Sequence, residues 1–553
     1  MAASLPAELL CRIFSAAEKH AYRDEVQSVL SFEERTRAES VSKHWRAALR
    51  SQPGAFSSLS LSARSMNMWG RQPSAQEAAA AEARALARLA ALTARKPAVG
   101  TIELDLSEAE PSSQLAAAYM AAIEALLSRQ GGSSTLSFTL SSTAPAAPYL
   151  VKAAPFASFQ GLHIECRGLG GQHIMLLPSA ALPRLPHVRR MTVQSYVRTA
   201  ISLSLPMPRL ESIQVFELEE ELGPISADLV AISRPPARRG APPPPPPFPA
   251  LTCLELNAVQ MKLDCSAMPA LADARLTLVF PEAQFKVDNP SVLTALTSLD
   301  LTATTVFNDA LLGEMGPGEV ADTAVHSNCF SRLLGGLPPG GLRSLTINIA
   351  EPLNTPLKRA LRQLSGLTAL KLHCGEEDEA ASEGAEEGAE EGAEEGAEEG
   401  EEGRVLRYRG PTVDCKWLDG MTALQELEVG TPACLANPAA LGRLPALRAL
   451  RCYSTNAMPA VVQHLSGLTR LELGSTSAME LADEEAILAA LAALPALRRL
   501  VLGRATYARG TDAAALEAAC KEYQDALQAL AGHLPAGCEV EAEAPRAGHR
   551  WSW

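Results

Sequence analysis

Aliphatic residues recur along this 553-residue chain in one phrase, leucine-x-x-leucine-x-x-leucine-x-leucine. The clearest copies run Leu364–Leu372, Leu418–Val429, Leu441–Leu450, Leu465–Leu473 and Leu491–Leu502. Weaker copies close at 102–106, 162–164, 188–193, 210–215, 251–256, 296–301 and 342–347. The closing leucine-x-leucine alternates with period two, which predicts a short strand with one buried face. Between strands, Leu115–Arg129, Asp483–Ala493 and Ala513–Ala531 read as helices.

The first apolar position of each closing pair falls at 102, 136, 162, 191, 213, 254, 276, 299, 345, 370, 427, 450, 471 and 500. Several intervals lie between 21 and 29 residues. The 57-residue gap from Leu370 to Leu427 holds a 29-residue acidic insert, and without it the interval falls in the same range. One such unit cannot bury its own apolar face, so neighbouring units must stack and cover one another's leucines. The pattern resembles the leucine-rich repeats over about residues 99–541, and its Ala-rich style is similar to that of green-algal proteins. It departs from them in lacking a regular Asn or Cys ladder after the strand. The resemblance implies an α/β fold, a leucine-rich-repeat solenoid (horseshoe).

The inward leucines are core. Recognition belongs to the outward residues beside them, which the repeat places on a concave wall. The candidates for target binding are His163, Glu165, Phe216, Glu255, Lys371, His373, Arg451, Tyr453, Glu472 and Arg499. The outward set also holds Gln214, Glu428 and Arg470. Its mixed signs and aromatics suit protein recognition.

The first 62 residues follow another pattern. Leu9 and Ile13 lie four apart, as do Leu10 and Phe14, giving a short helix with a broad apolar stripe. Pro6 suits its first turn. Val41, Trp45 and Leu49 form a second stripe. The string Leu5-Pro6-x-Glu8-Leu9-Leu10-x-x-Ile13-Phe14, then Val41-Ser42-Lys43-x-Trp45-Arg46, Pro53, Phe56 and Leu59, resembles an F-box over about residues 4–61. Glu18–Gln27 is an insertion relative to that family. The resemblance implies an all-α module at 1–62 that docks the Skp-type adaptor of a cullin ubiquitin ligase, with Leu5, Pro6, Leu9, Ile13, Val41 and Trp45 in contact. A linker helix is expected at 63–98, the solenoid at 99–541 and a tail at 542–553.

Charge changes the picture in one place. Residues 375–403 carry 15 Asp/Glu and no Lys or Arg, and removing them takes the formal net charge from −14 to +1. The near-neutral body argues against nucleic acid or an anionic membrane as the main partner. The acidic stretch is expected to be a disordered insert, since it has nothing apolar to bury. Residues 233–250, with six consecutive prolines, form a second insert expected to be disordered. That insert is either a solvated loop or a ligand for an SH3-, WW- or profilin-type partner.

The 11 cysteines are scattered and never form a CxxC pair, as in a reducing compartment. The amino-terminal stretch lacks a basic n-region, so no signal peptide is expected. No phosphate-loop, HExxH, GxSxG or Cys/His metal spacing occurs. No cofactor, metal or catalytic residue is therefore expected, and the chain reads as a non-enzyme.

Two readings follow. One is a substrate receptor of an SCF-type ubiquitin ligase, cytoplasmic or nuclear, joining cullin ligase subunits to an unknown target protein. The other is a structural repeat scaffold of the cytoskeleton or ciliary axoneme, whose N-terminal helices only cap the solenoid.

Overall fold

The computed structural model describes residues 18–19, 26–27, 58–62, 83, 87, 101–106, 137–142, 161–166, 174–175, 188–195, 199–203, 206–217, 227–234, 244–279, 284–304, 325–349, 353–374, 412–430, 434–452, 464–474, 485–503 and 513–542. The chain divides into two compact units, 1–295 with 306–308, and 296–305 with 309–553.

In the second unit, eight strands pair in parallel and in chain order. They are Ser298–Thr304, Ser344–Ile349, Ala369–Cys374, Glu426–Val429, Ala449–Cys452, Arg470–Leu473, Arg499–Leu502 and Glu539–Ala542. The register sets Leu299, Leu345, Leu370, Leu427, Leu450, Leu471 and Leu500 side by side in one buried column. Leu301, Ile347, Leu372, Val429, Cys452, Leu473 and Leu502 form the next.

The three-residue spacing before the strand has a backbone cause. The N–H of Leu367 donates to the Leu364 carbonyl at 3.1 Å, and Leu424 to Met421, Leu447 to Leu444, Leu468 to Leu465 and Leu497 to Leu494 repeat the bond. Each such turn points both of its ends inward, and all ten of those residues are buried. Four helices, Val325–Gly336, Thr355–Gln363, Glu485–Ala492 and Ala513–His533, lie between strands. The last two match the helices expected from the sequence.

The first unit uses the same device. Its main ladder runs Ser58–Ser62, Thr101–Leu106, Ser137–Ser142, Gly161–Cys166, Arg190–Ser195, Ser212–Glu217, Cys253–Asp264 and Asp273–Val279, all parallel. A second ladder joins Ile174–Met175, Thr199–Leu203, Ala227–Ile232, the later half of Cys253–Asp264, and Gln284–Asp288. Cys253–Asp264 serves both ladders by changing phase. Leu254, Leu256 and Ala258 are buried, then Met261 and Leu263, with the step at Val259–Gln260.

Several expectations need correction. Ser58–Ser62 pairs in register with Thr101–Asp105, so the alternating Ser-Leu-Ser-Leu-Ser joins the ladder and not the tail of an all-α module. Within the stretch read as inserted, Glu18–Lys19 pairs antiparallel with Val26–Gln27, which is β rather than α. Ile102 faces Phe138, not Leu136, and Leu254 faces Ala274, not Leu276. A slip of two residues keeps the same face inward, so alternation alone cannot exclude it. Residues 244–250, expected in a disordered insert, have a defined backbone with Pro247 and Phe248 buried. The helical positions of F-box resemblance, and most of 63–98 and 375–403, lie outside the described residues; Ala83 and Ala87 are helical.

The two units share one corner chemistry. Asp414 accepts from the Lys416 N–H at 3.0 Å and from Asn437 Nδ2 at 2.9 Å. Asp264 accepts from the Ser266 N–H and from Asn289 Nδ2, both at 3.0 Å. Asn437 and Asn289 sit at φ 53° and 58°, a left-handed conformation that asparagine tolerates, and each precedes a proline that opens a 3-10 turn. The Lys416 N–H, then Asn437, hold the Asp414 carboxyl below its ordinary value. At Asp264 partial burial pushes the other way, and the hydrogen bonds from Asn289 and Ser266 outweigh it.

Leu450→Ala is expected to destabilise the second unit by about 2–5 kcal/mol, read as a lower urea midpoint. Asp414→Ala, which removes a cap, is expected to cost about 1 kcal/mol at pH 7. A carboxyl with a depressed folded-state pKa contributes stability above its unfolded value and loses it as pH falls through the folded value. The gap between Asp414→Ala and the parent should therefore close on acidification through and below the carboxylate range. A gap independent of pH would rule out the carboxylate as its source.

Candidate functional site

The outward residue at the middle of each leucine-x-leucine repeats once per coil. In the second unit the register aligns Thr346, Lys371, Glu428, Arg451, Glu472, Val501 and Glu541 in one row. Adjacent strands lie about 4.8 Å apart, so these side chains must meet.

They meet with alternating sign. Lys371 Nζ lies 3.1 Å from Glu428 Oε2, and Arg451 reaches Glu428 Oε1 at 3.0 Å. The Nε of the same Arg451 lies 2.9 Å from Glu472 Oε1, while Arg470 pairs with Glu472 Oε2 at 3.2 Å. Glu428 is thus the hub: its side chain is only 12% exposed although it stands on the outward face. Arg499, in register with Glu539, reaches diagonally to Glu541 at 2.6 Å, and that hydrogen bond raises the guanidinium above its ordinary value.

His373 stands one position along the same face, with Nε2 3.8 Å from Glu428 Oε1. Its placement depends on Gly430. A Cβ there would fall 2.1 Å from His373 Nδ1, so any larger residue would displace the ring.

The first unit carries a polar counterpart. Thr192, Gln214, Glu255 and Arg275 are in register. Thr192 Oγ1 donates to Gln214 Oε1 at 3.5 Å, Gln214 Nε2 donates to Glu255 Oε2 at 3.2 Å, and Arg275 lies 3.7 Å from Glu255 Oε1.

Of the ten target-binding candidates, Lys371, His373, Arg451 and Glu472 converge in the second unit's row, with Arg499 beside them. Glu255 belongs to the first unit's row. His163 and Glu165 lie on the strand Gly161–Cys166, with His163 in register with Thr192, and Phe216 lies on Ser212–Glu217. Tyr453 and the six adaptor-contact candidates lie outside the described residues.

Glu428 stood in the outward set without being singled out, because its central place is a property of its neighbours. Arg275 was missed because the coil was centred two residues late, on Thr277. Glu541 was missed because the last coil, Glu539–Ala542, replaces leucine-x-leucine with valine-x-alanine.

Four of the described cysteines lie in the core. Burial pushes the thiols of Cys265, Cys374, Cys415 and Cys452 up to about 12, so they stay protonated and fill space. Among the described residues, no three His, Cys, Asp or Glu side chains gather as metal ligands.

Paired as they are, these charges cancel one another's far field and leave a pattern of short range. The basic partner in each pair is a third to a half exposed, so a pair contributes about 0–1 kcal/mol to stability. The pattern is better suited to selecting a partner whose own charges match it.

No family model and no curated protein matches the chain. Solved structures that resemble it include a chain of the Toll–Spatzle complex of Drosophila, at 12% identity and TM-score 0.35, covering 73% of this chain and 43% of that one. A leucine-rich-repeat protein of Leptospira interrogans is similar at 14% identity and TM-score 0.32, covering 80% of this chain and 90% of that one. The chain thus spans less than half the length of the Toll-complex chain it matches. The repeat itself rests on the ladders: in-register parallel strands with buried apolar columns make each unit a β-solenoid, and in the second unit those columns are mostly leucine.

Proposed function

We propose that this chain is a protein-binding adaptor and, more narrowly, the substrate receptor of an SCF-type ubiquitin ligase. The observation that carries the binding role is the row Lys371–Glu428–Arg451–Glu472, a rigid charge pattern on an outward sheet face. Rigid strands hold such a pattern with little ordering cost on association. The ligase role rests on the F-box resemblance of Leu5, Pro6, Leu9, Ile13, Val41 and Trp45, which would dock the Skp-type adaptor and cullin subunits. Burying large apolar side chains of this kind is worth roughly 1.5–3 kcal/mol each. The receptor contributes proximity, and the ubiquitin chemistry belongs to other subunits.

The scaffold reading draws on one observation. Glu18–Lys19 and Val26–Gln27 form a strand pair inside the F-box-like stretch. A module reshaped there could cap the solenoid without gripping an adaptor.

A pull-down of the full chain with purified Skp-type adaptor separates the readings. Capture by the parent, lost on Leu9→Asp with Ile13→Asp, is the expected result. Absence of capture by the parent would end the ligase reading and leave the scaffold.

Arg451→Met is expected to cost about 1 kcal/mol in urea unfolding, because Glu428 keeps Lys371 and Glu472 keeps Arg470. The same substitution should retain the adaptor yet deplete target proteins in affinity purification with mass spectrometry. An unchanged target set would place the binding face elsewhere.

A further inference from the structure

The charged row does not show its two signs equally. Its carboxylates are shielded: the side chain of Glu428 is 12% exposed and that of Glu472 17%. The cations beside them are more open, with Lys371 49% and Arg451 37% exposed. Each acid is occupied by its neighbours, since Glu428 holds Lys371 and Arg451, and Glu472 holds Arg451 and Arg470. The row therefore presents two raised cations over shielded counter-charges.

The sheet fixes the spacing of those cations. Lys371 is in register with Glu428 and Glu428 with Arg451, so the two cations stand two strands apart. At about 4.8 Å per strand, their backbones are about 9.6 Å apart. An extended segment in the polyproline II conformation rises about 3.1 Å per residue with three residues per turn. Its residues three apart share a face and lie about 9.3 Å apart, close to the spacing of Lys371 and Arg451.

The two flanks of the row differ. Two positions further along the strands, the described outward residues are Asn348, His373, Gly430, Gly474 and Gly503, with no carboxylate among them. Two positions before the row, Glu426 stands exposed between Ala369 and Ala449, and it repels an acid. An anionic chain is therefore received from the glycine side.

We propose that this face takes an extended acidic segment of a target protein, with two carboxylates three residues apart, one for Lys371 and one for Arg451. The inference rests on the protein-binding reading above and names the chemistry of the partner. Glu428 already holds both cations in place, so little side-chain ordering remains for association. The partner's carboxylates continue the alternation of sign outward from the sheet.

The test is fluorescence anisotropy of the full chain, at low ionic strength, with a labelled Ser/Gly peptide whose two aspartates are three residues apart. Binding should weaken by roughly tenfold in Lys371→Met and in Arg451→Met. Arg443→Met removes the same charge from a 3-10 turn away from the row and should leave the affinity within about twofold. An isomer with adjacent aspartates reaches one cation at a time, and should bind the parent as weakly as the first peptide binds Lys371→Met. Circular dichroism confirms that each variant is folded. Equal binding of the two peptides overturns the proposal, as does an equal loss with Arg443→Met or no binding by the parent. Binding seen only when the acids of 375–403 are changed to glutamine would give the face to this chain's own acidic stretch and overturn a separate partner. Target proteins lost with Arg451→Met, but no peptide effect, would overturn the acidic segment and leave the receptor reading standing.

Discussion

Eight of the described coils hang on a tight turn in which an N–H bonds the carbonyl three residues back, with an apolar side chain at both ends. Leu444–Leu447 and Leu465–Leu468 are two such turns. The turn makes the three-residue spacing point inward, and the strand that follows then presents its first and third residues to the same side. Stacked coils turn these positions into columns, and no coil could bury its leucines without the next. One carbonyl per coil, such as that of Arg448, accepts the two N–H groups of Thr469 and Arg470 from the next coil. The columns therefore cannot slide against one another without breaking backbone bonds.

The outward row inherits its chemistry from that rigidity. Because the leucine columns hold the strands in register, Lys371, Glu428, Arg451 and Glu472 stand at neighbouring lattice points. Opposite charges at that spacing attract and like charges repel, so the order of signs along the row becomes a structural fact. Glu428 is held by three basic neighbours and Glu472 by two arginines. Gly430 completes the arrangement by leaving room for the imidazole of His373.

Away from the face, polar corners and apolar anchors do local work. The Asp414–Asn437 and Asp264–Asn289 pairs satisfy backbone N–H groups where the chain turns, and they recur in both units. Phe248 fills the first unit's core at the position equivalent to Met207 and Met268 in adjoining coils. The proline run is therefore continuous with a repeat, and its last residues are part of the fold.

What the sequence alone determined was the inward leucine positions of the clearest repeats, the parallel repeat and the two later helices. Those depend on each residue's own hydrophobicity and on spacings of two, three or four along the chain. Leu427, Leu450 and Leu471 could be read that way because burial is a property of the pattern itself. Register was beyond that reading. A slip of two residues preserves the inward face, so only hydrogen bonding between strands decided that Phe138 faces Ile102 and that Arg275 faces Glu255. For the same reason the hub at Glu428 emerged only in three dimensions: its partners Lys371 and Arg451 lie far from it in sequence, on either side of an acidic insert and a coil boundary. The proline run divided in the same way. Its composition marked an excursion, and tertiary packing of Phe248 settled which of its residues turn inward.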